Sequence, residues 1–276
     1  MKAPFILRGF FFFYVSTASV LRNFSVSFSE MLLMQRARIK HVERRKEAMK
    51  EPCYRHELKY LLSPEKAEIL SKRLEKFLPR DPHVRGKGYT IRSLYFDSFN
   101  DEALQDNLMG AALREKFRIR LYEEDFTLIR LEKKVKHLSQ GFKESGLLTP
   151  LETSWILEGR YEFLKEKKER IFLDFYMALR GKLLRPKVII TYDREPFMWE
   201  AGNVRITLDR NIRFYRNPMD FLKKNLCCLP DEKRKALLEV KYDGFLPSFI
   251  PEILTGENPL QTAHSKYVLG RLALDY

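Results

Sequence analysis

Leu113-Arg-Glu-Lys-Phe-Arg-Ile-Arg-Leu-Tyr122 is the stretch that decides the fold. Successive side chains on a strand point to opposite faces. Arg114, Lys116, Arg118 and Arg120 therefore share one side, and Glu115, Phe117, Ile119 and Leu121 share the other. Four cations along one face repel each other, and an anion is the natural partner to neutralise them. After a Glu123-Glu124 turn the next strand, 125–136, repeats the arrangement. It sets Arg130, Glu132, Lys134 and Lys136 against Ile129, Leu131 and Val135. A solvated sheet face would account for one such strand. It accounts less well for the recurrence far away in sequence, where Arg55, Glu57 and Lys59 share a face in 53–62 and Glu239 and Lys241 share one in 236–243. If these strands close into a ring, charges line the inside and apolar residues face covering helices.

The rest of the chain fits an antiparallel sheet with inserted helices. Ser63 is an N-cap and Pro64 a first helical residue, ahead of an apolar face of Leu70, Leu74, Phe77 and Leu78 that Pro79 ends. Residues 79–88 read as a loop and 89–97 as a strand. A turn falls at Ser139-Gln140-Gly141, helices at 150–182, strands at 186–198 and 203–215, and a helix after Ser265. The expected class is α+β, an antiparallel β-barrel tunnel with a polar, basic interior and helices packed outside. A membrane β-barrel is excluded because Lys133 and Glu115 fall on the outward faces and long helical inserts interrupt the strands.

The net charge of +14 over 276 residues points to an anionic partner, but half of it lies in residues 1–50, which hold ten Lys or Arg and three Glu. The main domain is read as 51–276. The extension 1–50 contains the aromatic run Phe10 to Tyr14, which Arg8 keeps too short to span a bilayer. It reads as a peripheral membrane anchor, a contact for a membrane-protein partner, or residues ahead of a true start at Met49. Nucleic acid is excluded as a partner, because the charges line carboxylate-bearing strands rather than an open face with stacking aromatics. Cys53, Cys227 and Cys228 make neither a disulfide framework nor zinc spacing. They read as buried residues of a cytoplasmic protein, with membrane association left to the extension.

Carboxylates within a cationic interior would compete with an anionic ligand unless they hold a metal. Glu57, Glu132 and Glu239 are the candidate ligands, and hard oxygen donors beside phosphate favour Mn²⁺ or Mg²⁺. Free N–H groups at the helix start make Ser265 and Lys266 a phosphate contact.

Five segments occur in order: Tyr54-Arg-His-Glu-Leu-Lys-Tyr60, Ile91-Arg-Ser-Leu-Tyr-Phe-Asp97, Phe117-Arg-Ile-Arg-Leu-Tyr122, Leu131-Glu-Lys-Lys134 and Leu238-Glu-Val-Lys-Tyr242. With Tyr192-Asp-Arg194, Val204-Arg-Ile-Thr-Leu-Asp209 and His264-Ser-Lys-Tyr267, the set resembles the VTC (vacuolar transporter chaperone) polyphosphate-polymerase domain of the CYTH-like triphosphate-tunnel superfamily. The resemblance covers about residues 53–271. It implies a polymerase that moves the γ-phosphoryl group of ATP onto polyphosphate. Arg118, Arg120, Lys134, Arg194, Arg205 and Lys266 would hold the reacting phosphates. Arg55, Lys59, Arg92, Lys143, Tyr192, Lys241 and Ser265 would hold the rest of the substrate, and Glu239 would bind metal. Ala263 stands where relatives often carry lysine, which puts one phosphate contact in question. A metal-dependent triphosphatase in the same tunnel, or a non-catalytic polyphosphate or inositol-phosphate binder, is the alternative.

Overall fold

A computed structural model of the chain describes residues 55–82, 84, 86–138, 140–231, 233, 235–255, 260–261 and 265–274. The readings made for residues 1–50, Cys53, Tyr54, Ala263 and His264 lie outside these residues. The strands are β1 (Arg55–Leu62), β2 (Tyr89–Asp97), β3 (Leu113–Tyr122), β4 (Asp125–His137) and β5 (Gln140–Leu148), followed by β6 (Arg185–Trp199), β7 (Val204–Tyr215), β8 (Leu229–Pro230), β9 (Ala236–Tyr242) and β10 (Leu260–Gln261). All pair antiparallel. Following the neighbours from β1 through β5, β4, β3, β2, β6, β7 and β9 returns to β1, so eight strands close a barrel, with β8 added to β7 and β10 to β1.

The alternation in each strand decides what faces out. Phe117, Ile119, Leu121, Ile129 and Leu131 are buried outside the ring beneath α3 (Pro150–Leu157) and α4 (Arg170–Gly181). The outward pair Glu115 and Lys133 meets at 2.7 Å, and Lys133 also bonds Asp174 of α4 at 2.7 Å. A second cluster joins Leu70 and Leu74 of α1 (Pro64–Phe77) to Ile206, Leu208, Leu238 and Val240, and a third seats α6 (Lys266–Leu274) on Ile190 and Phe214. The first two clusters cover the outside of the ring, whereas the third lies on the inward face of β2 and β6, where Ile91 and Ile190 share a side with Ser93, Tyr192 and Arg194; it fills part of the interior and the charged side chains fill the rest.

The Ser63 side chain accepts from Lys66 N, and Pro64 opens α1 as read from sequence. Phe77, however, is 56% exposed. Leu78, already extended at the C-cap, takes the buried place instead. The 150–182 region breaks into α3, a 3₁₀ turn at Glu162–Glu166 and α4. The expected turn at Ser139-Gln140-Gly141 is displaced: Gln140 and Gly141 pair with His137 and Lys136 as the start of β5, a strand whose two glycines hide the alternation. Gly146 is needed there, since a Cβ would lie 2.5 Å from the Phe172 ring. The short helices α2 (Glu102–Leu108) and α5 (Phe249–Thr255) also gave no clear periodic signal. Among the described residues no helix is long and apolar enough to cross a membrane. Cys227 is exposed and Cys228 half-buried, both free, so the reading of inert buried cysteines fails for Cys227.

Candidate functional site

The ring encloses a cavity of about 410 Å³. β1 contributes Arg55, Glu57 and Lys59; β3 contributes Lys116, Arg118 and Arg120; and β4 and β5 contribute Lys134 and Lys143. From the opposite wall come Tyr192 and Arg194 of β6, Arg205 of β7, and Glu239 and Lys241 of β9, while Ser265, Lys266 and Tyr267 reach in from the start of α6. Eleven lining side chains are Lys or Arg. Six carboxylates reach them among the described residues: Glu57, Glu132, Glu239 and Asp209, with Asp81 and Asp243 at the rim. Among the described residues the balance is a net surplus of five positive charges, and in a largely buried site each is worth more than in water.

The carboxylates divide the cations among themselves. Glu132, 1% exposed, accepts from Arg118 Nε at 2.7 Å and from Lys143 Nζ at 2.8 Å, with Arg120 at 3.6 Å. Burial alone would raise its pKa, yet Arg118, Arg120 and Lys143 hold it well below the carboxylate range. Asp209 takes Arg194 through two 2.7 Å bonds and Lys266 Nζ at 2.5 Å. Glu57 pairs with Lys134 at 2.6 Å and Glu239 with Lys241 at 2.9 Å and Lys266 at 3.1 Å. Lys59 lies 3.6 Å from Glu57 and 3.9 Å from Glu239, tying the two together across the β1–β9 ladder. Tyrosines complete the wall: Arg118 donates to Tyr95 Oη at 3.1 Å and Arg120 to Tyr192 Oη at 3.0 Å.

The unmatched charge shows in the lysines. Burial, then Lys59 and Lys241, pushes Lys134 down to about 7, against the pull of Glu57. Burial together with Lys59, Lys134, Arg114 and Arg118 drives Lys116 well below the lysine range. A bound polyanion favours the charged form of each and so raises both pKa values. The added affinity is complete below the free value of Lys134, about 7, and is lost as pH rises through the value in the complex. Binding of tripolyphosphate at pH 8 should therefore take up protons, and more of them in the wild type than in Lys134→Met. Calorimetry in buffers of different ionisation enthalpy measures this, and equal uptake by the two proteins refutes it.

Of the sixteen residues assigned to substrate or metal from sequence, the structure brings all but two to the cavity; of the other cations read on inward faces, Lys116 lines it and Arg114, Arg130 and Lys136 do not. Arg92 is a correction: it faces outward on β2, 3% exposed, donating to the Phe221 carbonyl at 2.9 Å and the Lys223 carbonyl at 2.5 Å and pairing with Glu124. It anchors the β3–β4 turn, whose Glu123 and Glu124 both adopt left-handed φ of 51° and 53°, a two-residue hairpin geometry that non-glycine residues adopt at a cost. Glu132 is the other correction. It lies behind the lining with each oxygen committed to a cation, and so is a support for Arg118 and Lys143 rather than a metal ligand. Sequence reasoning gave no role to Asp209, Tyr89, Tyr95 or Asp81. Asp209 was legible as the inward partner of Arg205 and Thr207 by period two; Asp81, in a loop, carried no such signal.

Among the described residues no three acidic, His or Cys side chains form a metal cluster. The donors that fit a divalent cation are Glu57 and Glu239, which line the cavity and are held ionised by surrounding lysines, with Glu239 close enough to disfavour the charge on Glu57. One or two carboxylates completed by substrate phosphates is the usual mode for Mg²⁺.

The VTC domain family model matches residues 54–275. Comparison of the sequence with curated proteins gives no match. Among solved structures the chain is similar to a Bacillus halodurans protein at 16% identity, with a TM-score of 0.46, covering 76% of this chain and 95% of that one. It is similar to the PH1819 protein of Pyrococcus horikoshii at 14% identity and TM-score 0.44, covering 80% and 98%. A third likeness is to the Mimivirus capping enzyme triphosphatase at 11% identity and TM-score 0.38, covering 80% and 95%.

Proposed function

This chain belongs to the VTC domain family, and from that membership we infer that it is a polyphosphate polymerase, transferring the γ-phosphoryl group of ATP to the end of a growing polyphosphate chain. The observation that carries the inference is the enclosed surplus of positive charge, set around a cavity of about 410 Å³. Such a site binds short runs of phosphate from all sides and offers little to a neutral substrate.

Arg118 and Arg120 from one wall and Arg194 and Lys266 from the other are held by Glu132, Tyr95, Tyr192 and Asp209, so their donors are placed before substrate arrives. Preorganised donors of this kind are worth most where charge shifts during phosphoryl transfer. The terminal oxygen of the chain attacks the γ-phosphorus, the bond to the β-phosphate oxygen breaks, and ADP leaves. The attacking phosphate is already anionic, so no side chain need take a proton from it. The protein's work is to align donor and acceptor phosphates that would otherwise repel. Glu239 and Glu57 would hold Mn²⁺ or Mg²⁺ with phosphate oxygens, and when bound the ion neutralises charge on those oxygens.

Incubation with ATP and Mn²⁺ should yield long anionic polymer on a sizing gel, absent with Glu239→Ala. Release of free phosphate without polymer would identify a triphosphatase instead, and tight binding of polyphosphate without either product would identify a binding module.

A further inference from the structure

Ten of the eleven lysines and arginines that line the cavity have a carboxylate oxygen within 3.6 Å. Lys116 is the exception among the described residues. Its Nζ is held instead by two neutral oxygens, Asn107 Oδ1 of α2 at 2.7 Å and Ser265 Oγ, just ahead of α6, at 3.0 Å. An ammonium has three donors, and these bonds use two. Lys134 stands directly opposite on β4, and like charges facing each other across a ladder are destabilising. Burial, then Lys59, Lys134, Arg114 and Arg118, disfavours the charged form of Lys116. The fold thus fixes one lining cation in place without giving it an anion.

The side chains that fix it are themselves anchored. Lys116 Nζ lies 5.2 Å from the centre of the Tyr267 ring. Tyr267, 1% exposed, donates through Oη to Asp97 at 2.5 Å and accepts from Arg271 at 2.9 Å. Asp97, equally buried, also accepts from the backbone N–H groups of Ala103 and Leu104 in α2, at 2.8 and 3.0 Å. One carboxylate therefore fastens both α2 and α6, and these bring Asn107 and Ser265 to the same ammonium. Beyond Tyr267 the interior is packed: a Cβ on Gly270 of α6 would lie 2.9 Å from Ile190 and 3.1 Å from Phe214.

We propose that Lys116 and Ser265 form the subsite for the terminal phosphate of a linear phosphate chain. A terminal phosphate carries about −1.5 to −2 at pH 7, as a phosphomonoester does, whereas an internal one carries a single charge. The more highly charged group suits a cation that has no carboxylate of its own, and the packing beyond Tyr267 blocks the chain from continuing under α6. The assignment rests on the tunnel being a polyphosphate site and adds which end of it reads the chain terminus. It also gives Lys116, which carries no role in the sequence reading, a direct contact with the ligand.

Calorimetric binding of linear tripolyphosphate and of cyclic trimetaphosphate, which has no terminal phosphate, tests this with the wild type, Lys116→Met and Lys116→Gln. Both variants should bind tripolyphosphate roughly tenfold more weakly, the scale of one hydrogen bond to a charged group, and trimetaphosphate within about twofold of the wild type. Withdrawing a cation from a cationic wall should leave the melting temperature equal or higher, and the glutamine keeps donors for Asn107 and Ser265, so loss of fold will not mask the result. Equal weakening of both ligands would make Lys116 part of the general field of the tunnel and overturn the terminal subsite. Unchanged binding of both would remove Lys116 from the ligand altogether. A wild type that binds neither would remove the polyphosphate reading itself, and the subsite with it.

Discussion

An Asp209→Ala variant should lose about 3–5 kcal/mol of stability in urea denaturation, the range for breaking a buried ion pair from one side. Asp209 is completely buried and carries Arg194 through two 2.7 Å bonds and Lys266 at 2.5 Å. Its removal leaves Arg194 and Lys266 buried with Glu239 as their one remaining carboxylate among the described residues, in a site that already carries surplus positive charge. Burial alone would raise the Asp209 pKa, but Arg194 and Lys266 lower it. Its stabilising effect is therefore present above the ordinary carboxylate value and disappears as pH falls through the lowered one. Tripolyphosphate can restore the missing negative charge. A ligand at a hundred times its Kd contributes about 2.7 kcal/mol, and the variant should gain more from it than the wild type does. A loss below about 1 kcal/mol, or no differential rescue, would mean that Asp209 does not balance the tunnel charge.

Glu239→Gln should separate binding from turnover. The carboxylate sits among Lys59, Lys241, Lys266 and Arg194, and these hold it well below its usual pKa despite burial. In the absence of metal it repels an incoming phosphate, so the amide should bind tripolyphosphate about tenfold more tightly. That corresponds to roughly 1.4 kcal/mol for one charge removed from a partly screened site. Turnover with Mn²⁺ and ATP should instead fall by about 10²–10³, the scale of losing one electrostatic contact to the transition state. Binding by calorimetry and polymer yield by gel read the two effects apart. Loss of both would make Glu239 a structural anchor for the lysines, and retention of both would remove it from the metal site.

Much of this arrangement can be read one strand at a time. Arg118, Arg120, Lys134 and Glu239 were assignable to an inward face because a β-strand alternates over a few residues, and the outward Phe117, Ile119, Leu238 and Val240 show which side the helices cover. Arg92 shows where this reasoning fails. It belongs to a recognisable segment, yet Ser93 and Tyr95 accept hydrogen bonds from the interior Arg120 and Arg118 while Arg92 turns outward to Glu124. β5 escaped because Gly141 and Gly146 answer to close packing rather than to alternation.

By itself the sequence determined the inside-out character of the barrel and the chemistry of its interior, because face polarity is a local property of each strand. Only the tertiary structure decided which carboxylate serves which cation, that Glu132 lies behind the lining while Glu57 and Glu239 line the cavity, and that Asp209 lies between Arg194 and Lys266. These partners lie 57 residues apart in the case of Lys266 and Asp209, and 180 in that of Lys59 and Glu239. Their pairing follows from how eight strands register around a ring, which no single strand encodes.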